Sequence, residues 1–193
     1  MGPGMVTPVA VLARADCRAI ARRDGLDAGW QALVAATGAR ELLFGPGGHG
    51  LCPPGWQPQR SGADNRPAGW VLGLTWLRLG VSQRLLDQAM AYLAGRTSGG
   101  VPLIQQQLVQ GSLAEAVTEQ QGVAAVLDAL ESVGDELSPS LAAHLHRQIT
   151  DTDRMALRLL GAGGFLSDGP GGVAHLSELL ADAHLDGVHH DGH

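Results

Sequence analysis

The carboxyl-terminal end of the chain concentrates side chains that can bind metal ions. Imidazole and carboxylate groups are common ligands for zinc and other transition metals, and this segment carries His184, Asp186, His189, His190, Asp191 and His193. A terminal segment flanked by Gly187 and Gly192 is usually mobile, whereas a metal site needs surrounding groups that hold its ligands in place. We therefore expect adventitious metal binding by this tail and no physiological metal site.

A glycine-rich turn is the second feature that could take part in chemistry. The run Gly161-Ala162-Gly163-Gly164 follows an apolar helical stretch. Glycine lets backbone N–H groups approach a dinucleotide phosphate closely, but it is also the residue that most often ends a helix. The residues alone leave both interpretations open. A lysine cannot contribute to phosphate binding or to a Schiff base, because all 13 basic residues are arginine.

Composition and charge narrow the range of partners. The formal net charge of −6 and the 4% aromatic content argue against nucleic acid and against an anionic membrane surface. The most apolar segment, Trp70 to Val81, is too short to span a bilayer and is interrupted by Arg78. The start of the chain has no signal-peptide pattern, and Cys17 and Cys52 are interpreted as free thiols. These features predict a soluble, cytoplasmic protein with no nucleic-acid or membrane partner.

Hydrophobic periodicity and Gly/Pro content divide the chain into four segments. Residues 1–50 are predicted to be an N-terminal helical segment, 51–66 a Gly/Pro-rich linker, 67–185 a helical bundle and 186–193 a His-rich tail. No run of alternating polar and apolar residues has a useful length, so we expect no sheet. The predicted fold is all-α, an antiparallel bundle of long helices with a short N-terminal helical appendage.

The bundle segment is expected to contain three long helices and a shorter one. The first runs from Trp70 to Tyr92, the second follows Pro102 and ends near Gly134, and the third begins at the N-cap pair Ser138-Pro139. The inward face of the first is assigned to Trp70, Leu74, Leu77, Val81, Leu85 and Gln88. That of the second is assigned to Ile104, Leu108, Leu113, Val117, Ala124 and Leu127. The histidines on the helices are interpreted as surface or inter-helix residues: His144, His146 and His175.

The turn after the first long helix carries a recognisable pattern. Tyr92, Arg96, Gly100 and Pro102 keep the spacing of a Tyr-x-x-x-Arg-x-x-Phe-Gly-x-Pro turn, with Gly99 in place of the phenylalanine. Further matches are Gln107-Leu108, Leu113-Ala114-Glu115, Leu160 to Phe165 and Leu180 to His184. In these residues the chain resembles the C-terminal helical domain of the acyl-CoA dehydrogenases. A weaker resemblance to the end of that family's N-terminal helical domain lies at Trp30, Leu33, Gly38 and Gly47-Gly48-x-Gly50.

The resemblance implies oxidation of an acyl thioester by FAD and a flavin site shared between subunits. Arg96 matches the arginine that reaches the FAD of a neighbouring subunit in that family; the alternative is an exposed arginine that caps the carbonyls of its helix. Gln107 is either a contact to the flavin or a buried polar residue between helices. The glycine turn matches the family's turn at Gly161, Gly163 and Gly164.

Two features of this sequence depart from the family's pattern. The polar residues that precede the family's glycine turn, a glutamine and a histidine, are here Arg158 and Leu160. The catalytic glutamate has no counterpart, and His190 falls at its position. Some relatives place the base near the start of the first long helix, but this chain has no carboxylate between Asp64 and Asp87. We therefore assign no catalytic residue, because no residue of this chain matches the family's catalytic glutamate.

The resemblance also implies that the family's β-domain, which supplies much of the flavin-ring and acyl-pantetheine site, is replaced by the linker. We expect a non-autonomous acyl-CoA dehydrogenase-like subunit that assembles with itself or with a full-length flavoprotein dehydrogenase. FAD is then expected only at a site that a partner completes. The alternative is a non-catalytic helical assembly protein that has lost flavin and substrate binding. A third hypothesis is a binder or enzyme for another small ligand in the vacated cleft.

Overall fold

The computed structural model describes residues 14–38, 68–134, 136–165 and 169–185. Its helices are α1 (Arg14–Asp24), α2 (Leu26–Thr37), α3 (Trp70–Ala94), α4 (Gln107–Val133), α5 (Pro139–Leu160) and α6 (Pro170–Leu185). Between α3 and α4 lie two short strands, β1 (Thr97–Ser98) and β2 (Val101–Pro102), and short 3-10 helices follow at Leu103–Gln105 and Gly161–Phe165. The predicted all-α fold is confirmed.

Helix α3 lies at the centre of the fold. Residues that point in different directions from its axis, including Leu72, Leu74, Trp76 and Leu79, are at most 2% exposed. A helix that is apolar on every side is typical of a core position. The single inward face predicted from the sequence was therefore too narrow, and Gln88, which was assigned to that face, is exposed.

Helices α1 and α2 form a hairpin that packs on one side of α3. Trp30 of α2 meets Trp70 of α3 edge to face, with ring centroids 5.4 Å apart. Gly80 lies so close to the backbone carbonyl of Arg18 that a Cβ atom there would collide with it. Because glycine has no side chain to separate the helices, α1 lies directly against α3. The core on this side is apolar throughout.

Helices α4, α5 and α6 cover the remaining sides of α3. One core cluster joins Leu93 near the end of α3 to Leu113 near the start of α4 and Leu160 at the end of α5. A second cluster joins the opposite ends of the same three helices. Helix α4 therefore runs antiparallel to α3 and α5, as predicted for an antiparallel bundle. The α3–α4 and α5–α6 connections lie at the same end of the bundle, which we call the turn end.

The inward face of α4 differs from the predicted one. Leu113 and Leu127 are buried as expected, but Leu108 is 88% exposed and Val117 is 36% exposed. The inward positions between the two buried leucines belong to Ala116, Gln120 and Val123. The buried glutamine explains the difference, because its side-chain amide donates to Ser82 Oγ at 3.0 Å. The inward face predicted from the sequence contained only apolar residues and did not include Gln120.

Helix ends follow the signals in the sequence. Helix α4 ends at Gly134, which has φ of 70°, and Ser138 Oγ caps α5 by accepting from the backbone N–H of Leu141 at 3.4 Å. The expectation of no sheet was wrong in one place, where β1 and β2 pair antiparallel. Gly99 and Gly100, with φ of 60° and 81°, turn the chain between these strands. Strands of two residues are too short to show alternation in the sequence.

Parts of the predicted domain organisation lie outside the described residues. The linker at 51–66 and the tail at 186–193 are among them. The predicted domain boundaries therefore remain predictions. Among the helices that the structure describes, none combines the length and the apolar character needed to cross a bilayer.

Candidate functional site

Arg96 lies at the turn end, directly after α3. Its backbone carbonyl accepts from the N–H of Leu103 at 2.8 Å, which ties the two sides of the β1–β2 turn together. Its guanidinium lies 4.6 Å from the centre of the Tyr92 ring, and the residue is exposed. Stacking on an aromatic face supports the side chain while its N–H donors stay accessible. The backbone N–H of Gly95, rather than Arg96, bonds the carbonyl of Ala91 at the end of α3.

Gln107 is the first residue of α4 and is exposed. The 3-10 helix Leu103–Gln105 leads into it, and the carbonyl of Gln106 accepts from the N–H of Gln110 at 2.9 Å. The alternative in which Gln107 is a buried polar residue between helices does not match this position. Its amide is free to bind a ligand or a partner at the turn end.

The glycine turn lies at the same end of the bundle, and its members differ in their surroundings. Gly161, with φ of 64°, ends α5, and its N–H bonds the carbonyl of Arg158. Gly164 is buried, and a Cβ there would lie 2.7 Å from the carbonyl oxygen of Leu157. Gly163 is exposed with open space around it. Gly161 therefore acts as a helix stop and Gly164 as a close-packing residue, while Gly163 has neither role and, like Gly161, has open space beside it.

In this sequence the position of the family's catalytic glutamate falls in the C-terminal tail. His190 lies outside the described part of the chain. The first turns of α3 are sealed by α2, since Trp30, Leu33, Trp70 and Leu74 are at most 1% exposed. An acyl chain could reach this place only by displacing packed side chains. Within residues 14–38, 68–134, 136–165 and 169–185, no group of three or more His, Cys, Asp or Glu side chains could hold a metal ion.

The largest polar feature of the core was missed by the sequence analysis. Arg78 of α3 is fully buried, and it donates from Nε to Ser177 Oγ at 3.0 Å and from Nη2 to Thr150 Oγ1 at 2.9 Å. Its Nη1 lies 2.9 Å from His146 Nδ1. Since an arginine only donates, Nδ1 is the acceptor, and the ring proton of His146 is assigned to Nε2. That nitrogen donates to Thr75 Oγ1 at 3.2 Å.

Asp153 of α5 belongs to the same buried region, and neither of its carboxylate oxygens makes a hydrogen bond. Burial raises the pKa of this carboxyl to about 7. Two groups oppose this rise in pKa: the Ser82 hydroxyl, which lies nearby without forming a hydrogen bond, and the positive charge of Arg78. Burial lowers the pKa of Arg78, but a guanidinium stays protonated in a protein. The cluster therefore holds a permanent cation and a carboxyl that can carry either charge state.

A signal for this cluster was present in the sequence. Thr75, Arg78 and Ser82 have helical spacing within the most apolar segment, and the bundle surrounds them. Polar residues repeated at three- and four-residue steps among core leucines indicate a shared buried network. Arg78 was instead used only to argue that the segment does not span a membrane. Of the three histidines that the sequence analysis considered on the helices, His144 and His175 are exposed, and His146 is buried between helices.

Comparison with known proteins identifies the fold. Residues 72–187 match the family described as acyl-CoA dehydrogenase, C-terminal domain. A steroid acyl-CoA dehydrogenase, Tcur3481-Tcur3483, is 24% identical with a TM-score of 0.51, over 60% of this chain and 34% of its own. The acyl-CoA dehydrogenase of Geobacillus kaustophilus is 16% identical with a TM-score of 0.51, over 60% and 32%. Butyryl-CoA dehydrogenase from Megasphaera elsdenii is 19% identical with a TM-score of 0.50, over 61% and 32%.

These structures share the fold of the bundle, and the chain spans about a third of the length of each of them. The family match begins within α3 and therefore leaves out α1 and α2. It nevertheless covers more than half of the chain, including Arg96, Gln107 and the glycine turn. The protein belongs to the acyl-CoA dehydrogenase family, which it matches through the family's C-terminal helical domain.

Proposed function

We propose that this chain is a non-autonomous subunit of an acyl-CoA dehydrogenase-like assembly, formed with a second copy or with a full-length flavoprotein of the family. The observation that carries the proposal is the turn end, where Arg96, Gln107 and Gly163 are exposed together at one end of a closed bundle. The start of α3 is packed shut, and only residues 39–67 separate the α1–α2 hairpin from the bundle. Within the described residues, the chain thus presents one edge of a site, while the start of α3 is closed by α2.

The exposed residues of the turn end fit one edge of a dinucleotide site. A guanidinium suits a pyrophosphate because it is always charged and can donate two parallel hydrogen bonds. Gln107 adds an amide that can donate or accept, and Gly163, which is exposed and has no atom within 4 Å of a Cβ position, leaves room for a ligand to approach the backbone. FAD, when bound, supplies the hydride acceptor for oxidation of an acyl thioester. This chain's part is to hold the phosphates with Arg96, and a partner completes the rest of the site.

The surface around these residues has the character of a protein contact. No charged side chain occurs from residue 97 to residue 114, and within this stretch Leu108 is 88% exposed and Val101 is 47% exposed. Charge depletion with exposed apolar side chains is typical of the centre of an interface. A partner that covers Leu108 would also meet Arg96 and Gln107, because all three lie at the turn end.

The assembly is tested by placing a charge on this surface. Leu108→Arg is expected to shift the chain from an oligomer to a monomer in sedimentation, or to abolish its co-purification with a co-expressed full-length acyl-CoA dehydrogenase. Val133→Arg is the matched control, because Val133 is also on α4 and 69% exposed but lies at the other end of the helix. A chain that is monomeric and binds no dehydrogenase, or an assembly that Leu108→Arg leaves intact, would contradict the proposal.

The second candidate function is a helical assembly protein without flavin binding. The packed start of α3 and the replacement of the family's polar turn residues by Leu160 and Arg158 favour it, since Leu160 is 6% exposed and serves the core. The two candidates share the interface and differ in the role of Arg96. An assembly that forms normally but contains no flavin would support the second candidate. The same packing of α2 over α3 argues against a small-ligand site at that place.

A further inference from the structure

Asp153 faces a charged and polar environment that several helices build together. The Ser82 hydroxyl and the positive charge of Arg78, both on α3, lower its pKa, and the negative charge of Glu178 on α6 raises it. The charges that act on the neighbouring Arg78 are those of Asp153, Glu178 and Asp182. Arg154 follows Asp153 on α5 but is exposed and bonds Glu178 at 2.7 Å. The further polar groups in the buried cluster are neutral: His146, Thr150, Ser177 and Gln120, the last from α4.

Helix α6 is attached to the bundle over this cluster. Its Ser177 hydroxyl accepts from Arg78, its Glu178 pairs with Arg154, and its Leu180 is buried against the α1–α2 side of α3. Thr150, one turn before Asp153 on α5, accepts from Arg78, which also donates to Ser177 of α6. Asp153 therefore lies on the face of α5 that is turned towards α3 and α6. Movement of α6 away from α3 and α5 therefore removes the Ser177 contact and brings water to the buried carboxyl.

We propose that Asp153 is a proton-binding group that couples the docking of α6 to pH. With α6 docked, the carboxyl is enclosed without a hydrogen bond, so its neutral form is favoured. With α6 released, water solvates the carboxylate and its ionised form is favoured. Loss of the proton from Asp153 therefore shifts the equilibrium towards the released form, and Arg78 stays charged in both forms.

The sign and the range of the effect follow from linkage. The pKa of Asp153 is about 7 with α6 docked and returns to about 4 when the carboxyl is exposed to water. Between these two values the released form binds fewer protons than the docked form. Its population is then expected to rise by up to about tenfold per pH unit, and to be independent of pH below about 4 and above about 7.

Hydrogen exchange of the α6 amides tests this coupling. Protection factors, corrected for the intrinsic pH dependence of exchange, are measured at pH 5, 6, 7 and 8 for α6 and α3 in the full chain. In the wild-type protein the protection of α6 is expected to fall about tenfold per unit from pH 5 to 7 and to level off by pH 8. In Asp153→Asn it is expected to be flat, whereas the exposed carboxyl change Asp128→Asn on α4 should keep the wild-type slope.

The wild-type protein and the variants are compared in the same oligomeric state and without flavin, so a failure of this inference is separate from a failure of the proposed function. A pH-independent protection of α6 in the wild-type protein would overturn the inference, as would an equal slope in Asp153→Asn. If the variant does not fold, the carboxyl carbon of Asp153 is followed by NMR in the wild-type protein. A titration midpoint near 7 at the pH where the protection of α6 levels off supports the inference, and a midpoint near 4 with α6 docked, or a midpoint near 7 with pH-independent protection of α6, refutes it.

Discussion

The two sides of α3 are built on different principles. Towards α1 and α2 the buried part of the contact is apolar, with the Trp30–Trp70 pair and the close approach of Gly80 to the Arg18 backbone. Its charged contacts, such as Arg22 with Asp87, lie at the exposed edge. Towards α5 and α6 the contact contains a buried guanidinium, a buried imidazole and a buried carboxyl. One helix therefore makes an apolar contact on one side and, on the other, a contact that contains a carboxyl whose pKa is raised by burial.

The difference shows what each side can contribute to function. Close packing at glycine leaves no room for a second arrangement, so the α1–α2 hairpin is an integral part of this fold and keeps the start of α3 closed. Charged groups in the core hold α6 through a small number of directional contacts, and a buried ionisable group makes such contacts sensitive to conditions. The turn end lies next to the second side, since Leu160 and Ala174 belong to the same core cluster as Leu93.

The largest expected effect concerns the pH dependence of global stability. Because the pKa of Asp153 is raised from 3.8 to about 7 on folding, the folded state holds a proton that the unfolded state has lost. The stability from this group is fully present below pH 4 and is lost as the pH rises to about 7, by up to roughly 4 kcal/mol. Urea unfolding of the wild-type protein and of Asp153→Asn from pH 4 to 8 measures the difference.

If the α5–α6 side of α3 responds to protonation, the free energy of unfolding must change with pH at different slopes in the wild-type protein and in Asp153→Asn between pH 4 and 7. Parallel profiles would show that the α5–α6 side does not respond to protonation and would remove the distinction between the two sides of α3. Asp128→Asn provides the control for general charge effects, since its carboxyl is exposed on α4.

The second prediction concerns the apolar contact between α3 and the α1–α2 hairpin. Gly80→Val is expected to destabilise the protein by about 3 kcal/mol, because the new side chain meets the Arg18 backbone and cannot be accommodated by a rotamer change. The loss should be the same at pH 5 and pH 8. Thermal unfolding at both values measures it, and a strongly pH-dependent loss would mean that the two sides are not independent.

A matched glycine on α4 controls for the loss of glycine itself. A Cβ at Gly111 would meet nothing within 4 Å, so Gly111→Ala is expected to stabilise the isolated chain by up to about 1 kcal/mol through helix propensity. A destabilisation at Gly111 similar to that at Gly80 would argue against close packing as the cause.

The smallest expected effect is at the surface between α1 and α3. Arg22 Nε and Nη2 bond the two carboxylate oxygens of Asp87 at 2.8 and 3.0 Å, but both side chains are substantially exposed. Arg22→Ala is therefore expected to cost only about 0.5 kcal/mol, and less at high salt. A loss of about 3 kcal/mol in urea unfolding would show that charge, and not packing, attaches the hairpin.

The sequence predicted the helices and their ends well where a local signal exists. Ser138-Pro139 and Gly134 specify helix ends through their own backbone and side-chain chemistry. The faces of α3 and α4 were predicted less well because burial depends on partners that are distant in the chain. Gln120 is inward since Ser82 accepts from it, and α3 is buried on the side that α1 and α2 cover.

In the candidate site, too, the features with a local sequence signal were predicted and those that depend on distant residues were not. The resemblance carried by Tyr92, Arg96, Gly100 and Pro102 is confirmed at the level of the family, and the up-and-down topology places Arg96, Gln107 and the glycine turn at one end. Their roles at a flavin remain predictions. The buried cluster was not predicted, because the pairing of Arg78 with His146, Thr150 and Ser177 requires three helices to come together.

The central claim is that the turn end completes a flavin site only together with a partner, and the absorbance spectrum of the purified protein tests it most directly. The chain alone is expected to be colourless, and its complex with a full-length acyl-CoA dehydrogenase is expected to contain flavin. Arg96→Ala should reduce the flavin content of the complex. Arg147→Ala, which changes an exposed arginine of α5, should leave the flavin content unchanged. Near-stoichiometric flavin in the isolated chain, or a complex whose flavin content is unchanged by Arg96→Ala, would contradict this account.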